Sequence, residues 1–161
     1  MRVTILPGTE IDMAAAEAAV EQATLEGMRA GVSFVVNEAK RSVARGPKTG
    51  RIYTTRFFTG KNGNVVPYGQ RPPHQASAPG EAPATDTGIL VNSIAGDAEI
   101  SGGVVQGIVR AKAAYAAWLE LGTRRMAARP FLMPAVYANR ERVMLYVREA
   151  FRRGQSRFVK R

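Results

Sequence analysis

The sequence predicts an α+β fold: a long N-terminal helix, a small antiparallel β-sheet of two hairpins with short helices, and a C-terminal helix packed on the sheet. Three observations lead to this class. An apolar stripe of helical spacing occupies residues 25–43, Asn-Gly and Gly-Gly pairs separate strand-forming segments, and a second amphipathic pattern lies near the C-terminus. A chain of 161 residues can bury a substantial core, and we expect one domain over residues 1–161.

The first helix is predicted over residues 10–44. Thr9 followed by Asp12 resembles a capping box at its start, and Gly46-Pro47 ends it. Its first part is rich in alanine and weakly amphipathic, so its small side chains suit packing on a neighbouring subunit.

The second part of this helix carries a clear apolar stripe, whose members recur at intervals of three and four residues. Gly27 and Gly31, four residues apart, permit close approach by another helix. The stripe consists of Leu25, Met28, Val32, Val35, Val36, Ala39 and Val43.

The first hairpin is predicted from a strand over residues 51–59, a turn at Asn62-Gly63 and a return strand over residues 64–68. The first strand is rich in Ile, Tyr, Thr and Phe, which favour strands, and Asn-Gly is a strong signal for a tight turn.

Residues 70–85 follow, and we call them the Pro-rich arm. Small residues separate four prolines here, a pattern that predicts no regular element. We expect an extended arm that becomes ordered on a neighbouring protein, with a flexible loop as the alternative. Hairpin and arm together occupy residues 46–87. The prolines are Pro72, Pro73, Pro79 and Pro83.

Two more elements are predicted after the arm. Asp86 is expected to cap a short helix over residues 87–94. Strands over residues 97–100 and 104–111 form the second hairpin, with the Gly-Gly pair at 102–103 as its turn.

Residues 113–135, with the sequence AAYAAWLELGTRRMAARPFLMPA, are the most informative stretch of the chain. We call them the corner. A helix is predicted over residues 113–121, and Gly122 suits the positive φ at its end. Phe131 is expected to anchor the core, and Pro134 fits the first turn of the next helix. The buried face of the first helix is expected to carry Tyr115, Trp118, Leu119 and Leu121.

Glu120 lies in an apolar stretch of the corner, where an unpaired charge is costly. Arg129 follows nine residues later, across a turn. We expect an ion pair between these two residues, within one chain or between subunits, that holds the corner in shape. Two solvated charges are the alternative.

The last helix is predicted over residues 134–153, followed by a basic tail over residues 154–161. Its apolar positions recur at intervals that favour one buried face. That face is expected to carry Val136, Val143, Val147 and Ala150. Its basic residues away from that face are Arg140, Arg148, Arg152 and Arg153.

Nearly all of the net charge of +10 lies in the C-terminal quarter. Residues 124–161 hold 11 Lys/Arg and 2 Asp/Glu, a net charge of +9, whereas residues 1–123 hold 12 and 11, a net charge of +1. Such a block indicates an acidic partner, either nucleic acid, an acidic protein surface or both. A solvated helix face with a basic tail is the alternative.

The sequence lacks the common residue patterns of catalytic, metal and phosphate-binding sites. The absence of cysteine excludes disulfides and thiolate chemistry, and His74 is the only histidine, so no convergent metal ligands are apparent. No phosphate-binding loop and no nucleophile elbow occur. We therefore expect no enzyme activity, no cofactor and no metal. No apolar run reaches the length of a membrane span, and no signal peptide is apparent.

The order of motifs resembles a family of tailed-bacteriophage head–tail joining proteins, also called neck, tail-completion or tail-connector proteins. The pattern YAxWLELGT, basic residues and ARPFLxPA carries this resemblance, together with upstream segments 74–84 and 87–94. The long segment between residues 46 and 87 departs from simpler members. The matching corner residues are Tyr115, Ala116, Leu119, Glu120, Gly122, Thr123, Met126, Ala128, Arg129, Pro130, Phe131, Pro134 and Ala135.

The resemblance implies a structural virion protein that assembles in the host cytoplasm. It would form a homo-oligomeric ring of six or twelve copies between a head-side connector or stopper protein and the tail terminator or tail tube protein. A gene-transfer agent or a tail-like bacteriocin would carry a similar chain. A basic nucleic-acid-binding protein is the alternative function.

Two sets of residues become candidates for contacts in such an assembly. The first set is expected to contact neighbouring subunits or partners, and the second to face DNA in the channel or an acidic partner. The first set is His74, Gln75, Glu81, Glu120, Arg129 and Phe131. The second set is Arg140, Arg148, Arg152 and Arg153.

Overall fold

The computed structural model describes residues 2–6 and 9–156; its described side chains are those outside residues 2–12, 55–58, 66 and 68–72. The predicted α+β class is confirmed. The strands in this part of the chain form three separate two-stranded sheets, each from consecutive strands. The elements are β1 (Arg2–Leu6), β2 (Thr9–Asp12), α1 (Met13–Arg45), β3 (Ile52–Thr59), β4 (Val65–Gln75), α2 (Ile89–Ser93), β5 (Ile94–Ser101), β6 (Val104–Ala111), α3 (Ala116–Leu121), α4 (Leu132–Ala138) and α5 (Arg140–Ser156).

The chain divides into two compact units. The first unit contains the chain up to residue 38, residues 95–110 and the chain from residue 135 onward. The second unit contains residues 39–94 and 111–134.

Helix α1 begins three residues later than the sequence predicted. Thr9 and Asp12 belong to β2, which pairs antiparallel with β1, so the interpretation as a capping box is wrong. The predicted apolar stripe is confirmed, because all of its members are buried except Met28, which is half-buried.

In the first unit, α1 and α5 pack closely through glycines. A Cβ added at Gly27 would lie 2.6 Å from the Cβ of Ala150, and one added at Gly31 would lie 2.8 Å from Cγ1 of Val143. Gly154 of α5 lies against an earlier turn of α1, so the two helices run antiparallel. The predicted close approach of a helix at Gly27 and Gly31 is therefore confirmed.

Hairpin β5–β6 also packs on α1 within the first unit. A Cβ added at Gly96 would lie 2.6 Å from Cγ1 of Val32, and one added at Gly107 would lie 2.5 Å from Cγ2 of the same valine. The absence of these two side chains lets the hairpin approach the apolar stripe, which buries Ala98 to 2% exposure.

Both predicted hairpin turns are confirmed. Gly60 donates its N–H to the carbonyl of Asn64 at 2.9 Å, and Gly63 between them has φ of 76°. Gly102 and Gly103 have φ of 58° and 76°, and a two-residue type I′ turn needs positive φ at both positions.

The core of the second unit is formed by residues distant in sequence. The largest fully buried side chains described are Phe131, Ile94 and Val43, and all three lie in this unit. Phe131 is exposed by only 1%, which confirms its prediction as a core anchor.

Strand β4 continues into the Pro-rich arm, so the expectation of no regular element is wrong for the first six residues of the arm. Tyr53 pairs with His74 and Thr55 pairs with Gln70, so one residue of β3 lies opposite three residues of β4 between these pairs. Two prolines, which have no N–H to donate, lie in this bulge, where the ladder does not require one.

Two helix predictions also need correction. Gly88, in the left-handed conformation, is the N-cap residue of α2, so the N-cap position predicted at Asp86 is wrong. The predicted C-terminal helix is divided into α4 and α5 at Asn139, whose side-chain amide donates to the carbonyl of Ala135 at 2.7 Å. Asparagine side chains compete in this way with helical backbone bonds. Most of the predicted basic tail, residues 157–161, lies outside the described residues.

Candidate functional site

The Glu120 carboxylate closes the corner by accepting three backbone hydrogen bonds. Its Oε2 accepts from the N–H groups of Phe131 and Leu132 at 2.9 and 3.0 Å, and its Oε1 accepts from the N–H of Met133 at 2.8 Å. These donors lie at the start of α4, whose first N–H groups have no partner within the helix. The side chain of Glu120, which belongs to α3, therefore caps the N-terminus of α4. The negative charge of its carboxylate suits the positive end of the α4 helix dipole.

Backbone hydrogen bonds hold the rest of the corner. Gly122, with φ of 76°, donates to the carbonyl of Trp118 at 2.9 Å, as the sequence predicted for a positive-φ glycine ending this helix. Arg129 donates its backbone N–H to the carbonyl of Leu119 at 2.7 Å. A side chain at Gly122 would place its Cβ 2.8 Å from the backbone nitrogen of Ala128. The corner therefore has one closely held conformation.

The ion pair predicted between Glu120 and Arg129 is not formed within the chain. The three backbone amides occupy the carboxylate, and no salt bridge joins the two described side chains. Nε of Arg129 is buried and has no hydrogen-bond partner, the one such side-chain atom in the part of the chain that the structure describes. An ion pair between subunits stays a prediction.

Arg129 lines a cavity of about 230 Å³ that lies wholly within the second unit. The cavity is small compared with sites for drug-sized ligands, which span about 300–1,000 Å³. His74 lines the same cavity, so the structure brings together two of the predicted contact residues. The other polar residues that line it are Ser77, Thr85, Asp86, Thr87 and Tyr115.

Glu81, another predicted contact residue, is engaged in a second cluster. Its carboxylate accepts from the hydroxyl of Thr49 at 2.6 Å, from the N–H of Thr49 at 3.0 Å and from the N–H of Ala78 at 2.8 Å. The hydroxyl bond first, and then the two N–H bonds, hold the pKa of Glu81 below its ordinary value. This carboxylate thus ties the arm to the loop after α1.

Neighbouring contacts strengthen the attachment of the arm. Lys48 donates to the carbonyl of Ala82 at 3.1 Å, and burial lowers the pKa of this lysine although the nearby Glu81 carboxylate raises it. Gln75, which is exposed, donates its side-chain amide to the carbonyl of Gly50 at 3.3 Å. Gly80 donates its N–H to the carbonyl of Ala128 in the corner at 3.0 Å. The described arm is therefore bonded to its own unit.

The aromatic and leucine side chains of α3 are more exposed than the sequence predicted. Trp118 is 61% exposed and Leu121 is 79% exposed, whereas Ala116 is the buried residue of this helix. Trp118 and Leu121 are three residues apart and therefore share one helix face. The expectation that this face is buried is wrong for a single chain, and we call Trp118 and Leu121 the exposed pair.

The four arginines predicted to face DNA or an acidic partner all lie in α5 and are exposed. Their exposure agrees with the prediction that they lie away from the buried face, and contact with DNA or an acidic partner stays a prediction. Val136, predicted to be buried in this region, is 39% exposed, while Ala150 is buried. Arg142 of the same helix lies over the ring of Phe34, with its guanidinium carbon 4.6 Å from the ring centroid. The exposed arginines are Arg140, Arg148, Arg152 and Arg153.

Sequence reasoning identified the corner but missed two of its features. The spacing of the apolar residues in α3 did not show that the exposed pair would face solvent, because apolar residues on a buried helix face have the same spacing. The polar residues Thr85, Thr87 and Tyr115 that line the cavity with Arg129 were also missed, since a cavity wall assembled from segments far apart in sequence leaves no periodic signal.

No group of three or more His, Cys, Asp or Glu residues that could hold a metal ion occurs among the described residues. Within the same part of the chain, no helix has the length and apolar character needed to cross a membrane.

The chain matches no family model, no curated protein and no solved structure.

Proposed function

We propose that this chain is a structural component of the head–tail junction of a tailed bacteriophage or a related particle, where copies of it form a ring that joins the DNA-filled head to the tail. The observation that carries the proposal is the corner, in which the motif residues that resemble the joining family form a rigid turn. The neighbouring proteins in this proposal are a head-side connector or stopper and the tail terminator or tail tube protein.

The contacts of the corner suit an interface. The hydrogen bonds of Glu120 and the buried ring of Phe131 hold the backbone of the corner in place. The exposed pair presents apolar side chains on this fixed backbone. Preorganised apolar side chains lose little conformational entropy on binding, and tryptophan is enriched at interface hot spots.

Electron microscopy of a deletion strain tests this function. We expect lysates without this chain to contain filled heads and finished tails that are not joined, or tails with abnormal ends. Supplying the wild-type chain from a plasmid is the control and should restore joined particles. Normal infectious particles in the deletion strain would contradict the proposal.

Nucleic-acid binding is the second candidate function, and the exposed arginines of α5 favour it. Clustered arginines attract phosphates, and the affinity then falls steeply with salt because counterions are released. An independent DNA binder should retain duplex DNA in free solution, and Arg148→Gln with Arg152→Gln should weaken binding and reduce the salt slope. A joining protein without this activity should show no saturable binding at physiological salt.

A further inference from the structure

We infer that the cavity around Arg129 binds a carboxylate group supplied by an acidic side chain of a neighbouring protein. The assignment of the carboxylate to a neighbouring protein rests on the proposed function. The preference for a carboxylate follows from the residues that line the cavity. It assigns a partner group to Nε of Arg129, which has no hydrogen-bond partner among the described residues.

The first observation is an unmet hydrogen bond. Nε of Arg129 is buried and has no partner among the described residues, although buried polar groups in folded proteins are almost always bonded. Leaving such a donor unpaired is costly, and more so for a charged group. A guanidinium group keeps its positive charge in proteins, so this cost cannot be avoided by neutralisation.

The second observation is the composition of the cavity wall. Thr87, Tyr115 and His74 line the same space as Arg129, and the side chain of each of these three residues can donate a hydrogen bond. Leu119 contributes apolar surface that excludes water around the charge. Several hydrogen-bond donors around one positively charged guanidinium favour the binding of an anion. The planar guanidinium matches the planar geometry of a carboxylate.

The third observation is size and charge balance. A volume of about 230 Å³ admits one or two side chains rather than a large ligand. The wall also contains one acidic residue, Asp86, which opposes a dianion more strongly than a monoanion. A single side-chain carboxylate therefore fits this space better than a phosphate group.

Rigidity of the wall supports the same conclusion. The backbone N–H of Arg129 is held by Leu119 at 2.7 Å, and the hydroxyl of Thr85 donates to the carbonyl of Val43 at 3.1 Å. The backbone that carries the Arg129 side chain is thus held in place before a ligand arrives. Preorganisation of this kind reduces the entropic cost of binding.

The test is an NMR titration of the full-length protein that follows the Nε–H resonance of Arg129. The probes are N-acetyl-glutamic acid amide, its neutral analogue N-acetyl-glutamine amide, succinate and inorganic phosphate. We expect a saturable downfield shift with the glutamic acid amide, with a dissociation constant of about 1 mM for a ligand of this size. The Nε–H of Arg125, which is exposed, is the internal control and should not follow the same curve.

Three results with the two amides and phosphate would overturn the inference. They are no shift of Arg129 with the glutamic acid amide, an equal shift with the glutamine analogue, and tighter binding of phosphate than of the glutamic acid amide. Succinate binding more than tenfold tighter would identify a free small carboxylate as the source, which overturns the assignment to a side chain.

The same titration on variant proteins tests whether Arg129 itself binds the carboxylate. Arg129→Gln should abolish binding, whereas Arg125→Gln should leave it unchanged. Because these experiments use isolated protein, they can fail while the deletion strain still shows unjoined heads and tails, which separates this inference from the proposed function.

Discussion

The Glu120 carboxylate stabilises the corner by accepting three backbone N–H groups that α4 leaves without helical partners. The apolar surroundings in the sequence correctly indicated that this charge needs a partner, yet they pointed to a guanidinium. Every residue type except proline has a backbone N–H group, so the sequence of side chains does not show which N–H groups lie near Glu120. The partners of this carboxylate could be predicted only from the geometry of the turn.

Replacing Glu120 tests this capping role at the residue scale. Glu120→Gln keeps one acceptor oxygen but turns an NH₂ group toward an N–H donor, so we expect a loss of about 1–2 kcal/mol in the free energy of unfolding. Glu120→Ala should cost about 3 kcal/mol, because it leaves all three amides without an acceptor. Urea unfolding measures both losses.

Glu141→Gln provides the matched control for these variants. Glu141 is an exposed acid in the first turn of α5, and its replacement should change the free energy of unfolding by less than about 0.5 kcal/mol. Equal stability of Glu120→Gln and the wild type would show that the three hydrogen bonds do not stabilise the corner.

Glu81 predicts a pH dependence of stability. Its pKa in the folded protein lies below the ordinary value of 4.5, chiefly because of the hydroxyl bond from Thr49, so its contribution is fully present above that value. The contribution is lost as the pH falls from about 4.5 through the lower folded pKa, because the folded state then has to protonate a carboxylate that accepts hydrogen bonds. We therefore expect Glu81→Gln to be less stable than the wild type at pH 7.

Denaturant unfolding between pH 7 and pH 3 measures this effect. The difference in free energy between the wild type and Glu81→Gln should be constant down to about pH 5 and should shrink below pH 4.5. A difference that stays the same at pH 3 would mean that the ionised carboxylate contributes nothing to the attachment of the arm.

At the scale of elements, the α1 stripe was predictable because a period of 3.6 residues leaves a distinct pattern. The extension of β4 was not, since Pro72 and Pro73 argue against a strand and only the bulge in β4 makes them compatible with one. The break at Asn139 was missed for a similar reason, because one polar side chain barely alters an amphipathic pattern. Within the candidate site, the motif residues were found and the cavity was not, because its wall is assembled from residues far apart in sequence.

The contact between α1 and α5 predicts the effect of adding one methyl group. Gly27→Ala raises helix propensity by about 1 kcal/mol, but its Cβ would lie 2.6 Å from the Cβ of Ala150 and 2.8 Å from the carbonyl oxygen of Tyr146. Because two helices must separate to relieve this, we expect a net loss of about 1–2 kcal/mol in the free energy of unfolding.

Ser33→Ala is the control for helix propensity, since Ser33 is an exposed position of the same helix. It should leave stability unchanged or raise it by up to about 0.5 kcal/mol in the same urea titration. If Gly27→Ala is more stable than the wild type, α5 does not approach α1 closely at this position.

At the scale of the whole molecule, the proposed assembly explains why a chain with a well-buried core leaves large apolar side chains in water. Trp118 and Leu121 are exposed by 61% and 79%, so their replacement with alanine should change the free energy of unfolding by less than about 0.5 kcal/mol each. In a joined particle the same two changes should abolish or strongly reduce joining, because hot-spot residues dominate interfaces.

Complementation of the deletion strain tests whether variants that keep the stability of the folded chain still join heads to tails. The double variant Trp118→Ala with Leu121→Ala should give unjoined heads and tails, whereas Val65→Ala, with a similar exposure of 62%, should give joined particles. Joined particles from the double variant, or equal defects in both strains, would show that the exposed pair does not form the interface.

The most direct test of the central claim is a cryo-electron microscopy reconstruction of the neck of the source particle. The account predicts a ring of this chain between head and tail, with Trp118 and Leu121 buried against a neighbouring protein and an acidic side chain within hydrogen-bond distance of Arg129. A neck without this chain, or a ring in which the exposed pair faces solvent, would contradict it.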